Sequence, residues 1–122
     1  MLLVQFSADG STLVCRLSGE LTSKPVPAYS RQLDSILRTH RDGTWTVVCL
    51  DLNMCPMIDA AGIRALVRIA DQMSGEERRV RVQISSETMQ RTLAAVGLDK
   101  RVELVMRRRR ARNPAIAGSG TT

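Results

Sequence analysis

The chain has 122 residues, 43% of them hydrophobic and 25% charged, which suits one globular domain with a modest core. Phe6, Tyr29 and Trp45 are its only aromatic residues, so the core must be aliphatic; this scarcity argues against modules that stack nucleic-acid bases on aromatic platforms. The net charge of +6 is concentrated at one end: without Arg107, Arg108, Arg109, Arg110 and Arg112, residues 1–106 carry only +1.

In chain order, residues 2–8 and 12–18 read as two strands turning at Asp9-Gly10, a strong hairpin dipeptide. In the second strand Leu13, Cys15 and Leu17 share the inner face and Arg16 points away. Pro25-Val26-Pro27 leads into a helix that runs to about His40, with Tyr29, Leu33, Ile36 and Leu37 on its apolar side. Thr46–Leu52 is nearly continuous in apolar character and predicts a central strand covered on both faces. After the loop Asn53–Ile58, Asp59 is placed to cap a helix from Ala60 to about Met73. That helix is expected to bury Ile63, Leu66, Val67, Ala70 and Met73, with Arg64, Arg68 and Asp71 outward. Val80, Val82 and Ile84 alternate as a fourth strand. Ser85 or Ser86 then caps a short helix with Met89, Leu93 and Val96 inward, closed by Gly97. Val102 and Leu104 make a last strand. The expected order is β-β-α-β-α-β-α-β, an α/β fold with amphipathic helices on a small mixed sheet. Residues 1–106 read as the domain and 107–122 as an Arg-rich disordered tail, with weak, nonspecific, salt-sensitive contacts to anions.

Little in this pattern points to catalysis. His40 is the only histidine, so no Ser-His-Asp triad or His-based metal site can be assembled. It is expected at a helix end facing solvent. Asp51 and Asp59 lie near the carboxyl end of one strand, where α/β sheets place ligands, but no phosphate loop accompanies them. Gly118-Ser119-Gly120 lacks the strand and lysine of a nucleotide motif. Cys15, Cys49 and Cys55 have no zinc or CxxC spacing, and their odd number does not suit a secreted disulfide framework. Cys15 and Cys49 fall on inward strand positions, which leaves Cys55 as the one expected to be exposed and open to redox control. The opening MLLVQFSADG has no signal-peptide pattern, and no apolar run approaches the ~18 residues of a spanning helix. The expectation is a cytoplasmic, non-enzymatic domain with no metal, cofactor or specific nucleic acid.

Four elements taken together are more informative than any one. Gly19-Glu20-Leu21-Thr22 follows the second strand, and the central strand ends in Asp51-Leu52-Asn53. Asp59-Ala60-Ala61-Gly62 opens the amphipathic helix, and Val96-Gly97-Leu98-Asp99 closes the short one. In order and spacing they resemble STAS-domain proteins, in particular anti-sigma factor antagonists, whose elements are GELD-like, DLS, DSSG and GLD-like. The resemblance spans residues 2–106. It implies a STAS-like fold and a partner switch, in which the unphosphorylated antagonist binds an anti-sigma factor that is also a histidine-kinase-like ATPase. That kinase phosphorylates the serine after the motif aspartate. Here this position is Ala60, which has no hydroxyl, so the resemblance implies an antagonist that cannot be switched at the usual place. Control would otherwise fall to Thr22, Ser23 or Cys55. The docking face it implies comprises Leu21, Thr22, Ser23 and Lys24 with Asp59, Ala60, Ala61, Gly62 and Arg64. Ala60 and Gly62 would offer a flat surface, and Arg64 would pair with an acidic group of the partner. The alternatives are a STAS scaffold docking another protein, or association with nucleic acid or membrane through the tail.

Overall fold

Period-two alternation builds the first two strands, β1 (Leu2–Phe6) and β2 (Thr12–Ser18), which pair antiparallel with Phe6 opposite Leu13. Their connection is a five-residue loop, Ser7–Ser11, in which Gly10 takes φ +74°. The Ser11 N–H and the Ser7 and Ser11 hydroxyls donate to the Asp9 carboxylate. The backbone bond from Ser11 leads these in drawing the Asp9 pKa down to about 2. The computed structural model describes residues 1–107.

From β2 onward the chain alternates strand and helix: α1 (Val26–Thr39), β3 (Val47–Met54), α2 (Ala60–Gly75), β4 (Arg79–Ile84), α3 (Glu87–Ala95) and β5 (Glu103–Met106). The sheet order is β1-β2-β3-β4-β5, with the last three pairings parallel. Successive right-handed crossovers that step in one direction place every helix on the same face of the sheet. The core agrees with this. Leu13, Cys15, Val48, Leu50, Val82 and Ile84 from the strands form one cluster with Leu33 and Leu37 of α1, Leu66, Ile69 and Met73 of α2, and Met89 and Leu93 of α3.

The central strand β3 is covered on both faces, as its apolar run predicts, but helices cover only one of them. Val47, Cys49 and Asp51 are buried but lie outside the helix-facing cluster. Cys49 is opposite Val14 on β2 and Arg81 on β4, and Arg81 is opposite Glu103 on β5. The ion pairs Arg16–Asp51 (3.1 Å) and Arg81–Glu103 (3.2 Å) cross this second face, so flanking side chains shield the strand. Charged groups here satisfy each other between strands.

Other differences have local causes. α2 presents Ala65 and Ile69 to the core beside Leu66, Ala70 and Met73, while Ile63 and Val67 are only half-buried. The helix is rolled toward Gly62, which packs against the backbone of Leu21. Val96 is exposed because α3 stops at Ala95 and Val96 is its C-cap. Cys55 is buried rather than exposed, and its thiol donates to the Met57 carbonyl at 3.3 Å. Burial raises the pKa of all three cysteines, with Cys15 pushed up to about 12, which disfavours the reactive thiolate and removes Cys55 as an accessible redox site. His40 is the C-cap of α1, half-buried, with its ring edge-on to Phe6. Arg107 still donates its N–H to the Ile84 carbonyl, and the rest of the predicted tail lies outside the described residues. No described helix is long and apolar enough to cross a membrane.

One clamp joins the end of α1 to the start of β3 and β4. The Arg78 guanidinium lies 3.7 Å from the centroid of the buried Trp45 ring. It donates to the carbonyls of Trp45, Arg41 and Gly43 and pairs with Glu76. Arg78→Met keeps the volume but leaves these acceptors without a donor. The expected loss is about 3 kcal/mol of stability, read as a lower urea midpoint with an unchanged slope.

Candidate functional site

The site is built where two chain segments that follow different strands come together. Gly19, at φ +109°, turns the chain out of β2 and donates its N–H to the Met54 carbonyl at the end of β3. Leu21 then forms an isolated parallel bridge with Ile58. Its N–H donates to Met57 (2.9 Å) and its carbonyl accepts from Asp59 (3.3 Å). The 21–24 segment and the β3–α2 connection therefore run side by side as a short extension of the sheet.

Asp59 locks this extension to α2. One carboxylate oxygen accepts from the N–H groups of Ala61 (2.9 Å) and Gly62 (3.2 Å), satisfying two of the free donors of the first helical turn. The other oxygen accepts from Ser23 N–H at 2.9 Å. The Ser23 bond leads in lowering the Asp59 pKa, with smaller contributions from Gly62, Ala61 and the Arg64 guanidinium outweighing desolvation. Gly62 has no alternative at its position. A methyl group there would be driven into the Leu21 carbonyl oxygen and would sit 2.7 Å from Ile58 Cγ1.

The structure therefore brings the sequence-predicted residues together but gives them different parts. Ser23, Lys24, Ala60 and Arg64 are exposed; Thr22, Asp59 and Ala61 are half-buried. Leu21 and Gly62 are buried. These two corrections share a cause: Gly62 permits close approach within the molecule, so neither residue presents a flat surface outward. The Thr22 hydroxyl donates to Glu20 at 3.3 Å. Asp51 and Asp59 do not act as a pair, since Asp51 is held by Arg16 and by Asn53 N–H while Asp59 caps α2. Among the described residues no group of three His, Cys, Asp or Glu side chains is placed to hold a metal.

Sequence reasoning missed Met54 and Met57, which are 60% and 54% exposed beside this helix end. The signal was present in Met54-Cys55-Pro56-Met57, where Pro56 has no N–H and interrupts the pattern of β3. Exposed flexible thioethers suit an adaptable contact surface.

Because Asp59 is hydrogen-bonded as a carboxylate, its folded pKa lies below the unfolded value of about 3.9. Its stabilisation is complete above that value and is lost as pH falls through the lowered folded one. The melting-temperature gap between wild type and Asp59→Ala should therefore stay constant above pH ~4 and narrow below it. Thermal melts across an acid pH series measure this directly.

The comparisons with known proteins agree with this geometry. The chain finds no match among curated protein sequences. Among solved structures, an anti-sigma factor antagonist from Mycobacterium paratuberculosis superposes with a TM-score of 0.73 at 19% identity, covering 86% of this chain and 84% of that one. The Bacillus cell fate determinant SpoIIAA in its phosphorylated form gives 0.62 at 17% identity, with 87% and 92% covered. Murine Slc26a9, an anion transporter, gives 0.67 at 14% identity; 79% of this chain matches 16% of that one. These likenesses establish the shared fold. A family model described as "Mlab, STAS domain" matches residues 4–107, and on that match the chain belongs to the STAS domain family.

Proposed function

We propose that this chain is a non-enzymatic binding protein of the anti-sigma factor antagonist type. Its partner is an anti-sigma factor of the histidine-kinase-like ATPase class, met in the cytoplasm. The observation that carries this reading is the exposed Ala60 at the first position of α2, beside a 21–24 segment held in place by Asp59. Exposed Met54, Met57, Ser23, Lys24 and Arg64 surround it. The face is assembled by hydrogen bonds within the chain, so little ordering remains for a partner to impose.

Ala60 stands where the resemblance puts a phosphoacceptor serine. A phosphate there would add a charge of about −1.5 to −2 at the helix N-terminus. The helix would tolerate that charge, and the interface would bear the desolvation. With alanine no such event occurs, and the chain works as an antagonist that this route cannot switch off. Buried Cys55 offers no substitute control, and on this reading the Thr22 and Ser23 hydroxyls stay unphosphorylated.

A second reading has its own support. The family description names Mlab, and the fold also occurs as one part of an anion transporter. A STAS unit docking a different protein through the same helix end is the alternative. Association with nucleic acid or membrane through the Arg-rich tail is a third.

Ala60→Glu separates these readings. It places a charge at an exposed helix start, where the dipole favours it, so the fold should survive. Affinity capture from native lysate, with mass-spectrometric identification, should recover a histidine-kinase-like ATPase with wild type. The variant should bind it at least tenfold more weakly, a loss of about 1.4 kcal/mol or more. Recovery of a different protein, lost in the variant, favours the scaffold reading. Recovery that ignores residue 60 removes this helix end from the interface.

A further inference from the structure

The α1–α2 surface carries four arginines that make no ion pair among the described residues. Arg64 and Arg68 lie one turn apart on α2, and Arg38 and Arg41 lie at the end of α1 and just beyond it. All are exposed, and none makes an ion pair with another described residue; the described ion pairs are Arg16–Asp51, Arg78–Glu76, Arg81–Glu103, Arg91–Glu87 and Arg101–Asp71. Like charges at i,i+4, as in Arg64 and Arg68, disfavour a helix. Arg64 lends charge to the Asp59 cap and Arg38 suits the last turn of α1, but neither effect accounts for Arg41 and Arg68 on the same surface.

They also form one continuous surface. Arg38, Arg41 and Arg68 line a single open cleft between the helices, together with Asp34 and Gln72. Arg68 and Arg64 line the adjoining cleft, which reaches Ala61 in the first turn of α2. A basic groove thus runs from the proposed docking end along the outer face of the helical layer. Residues 1–106 carry only +1 overall, so this is segregation of charge rather than general basicity.

We infer that this groove receives an acidic segment of the protein partner, its carboxylates paired with Arg38, Arg41, Arg64 and Arg68. The inference rests on the partner-binding reading above and names the chemistry of the surface that would meet it. Guanidinium forks match carboxylates in bidentate geometry, and arginine clusters read acidic motifs. Half-buried Asp34 shares the cleft and repels any anion beside it, so acidic groups would sit to either side of it, an arrangement that suits an extended segment more than one compact phosphate. A lipid surface fits less well. Basic faces that lie on membranes insert apolar side chains, and the exposed large apolar residues Met1, Leu3, Phe6, Met54, Met57 and Val96 all lie off α1 and α2.

The test uses full-length chain and a fluorescein-labelled ten-residue poly-glutamate peptide, read by anisotropy at low salt. Arg38→Glu/Arg68→Glu is compared with Arg108→Glu/Arg110→Glu, which changes net charge equally in the tail. The groove variant should weaken peptide binding at least tenfold and the tail variant less than threefold, with both unfolding at the wild-type temperature. Equal losses in both variants would show that binding follows net charge and would overturn the inference. So would a groove variant that loses binding to phosphatidylserine vesicles or a DNA duplex while keeping the peptide. The partner capture with Ala60→Glu described above is read separately from the peptide titration, so failure of the docking-end proposal would be distinguished from failure of the groove.

Discussion

Both oxygens of the Asp59 carboxylate are occupied, and the candidate site depends on that division. One oxygen caps the start of α2 and the other holds Ser23, so a single charged group fixes the helix start relative to a segment that left the sheet one strand earlier. Without it, two N–H groups in the first turn of α2 would lose their shared acceptor, and the 21–24 segment would lose the Ser23 bond while keeping its backbone bridge at Ile58. Gly62 completes the unit by allowing the helix to touch the Leu21 backbone. Ala60 is presented to solvent because its neighbours on both sides are held.

The one-sided layering explains how a chain with so few aromatic residues sustains this arrangement. Helices on a single face need only one aliphatic core, and Leu, Val, Ile and Met fill it. The opposite face is closed by charge pairs between adjacent strands, which shield Cys49 and Asp51 without a second layer. The only tryptophan serves at the rim, under Arg78, where a flat ring and a guanidinium together stop the end of the sheet.

The fold was legible because local signals agreed with one another. Asp9-Gly10, the alternation of β2 and β4, the Asp59 cap and Gly97 at φ +80° each marked an element that the structure contains. What local pattern could not supply was the direction of each crossover. A nearly continuous apolar strand reads the same whether helices or flanking charged side chains cover its second face. The same blindness misplaced Cys55, which follows a strand in sequence but tucks under the Leu21–Ile58 bridge region by tertiary contact. The residues expected to dock came from family resemblance, and the structure then sorted them by exposure. Leu21 and Gly62 are buried because they hold each other, whereas Met54 and Met57 were passed over because the break at Pro56 marks a loop without saying which of its apolar side chains face solvent.

The central claim is that the helix end at Ala60 is a preformed docking face with no phosphate switch. The most direct measurement titrates the partner proposed above, a purified histidine-kinase-like anti-sigma factor, with wild type and with Ala60→Ser, before and after incubation with Mg-ATP, and follows intact mass. The account predicts that wild type gains no phosphate and keeps its affinity, while Ala60→Ser gains one phosphate and loses the complex. Phosphate on wild-type Thr22 or Ser23, with release of the partner, would contradict it.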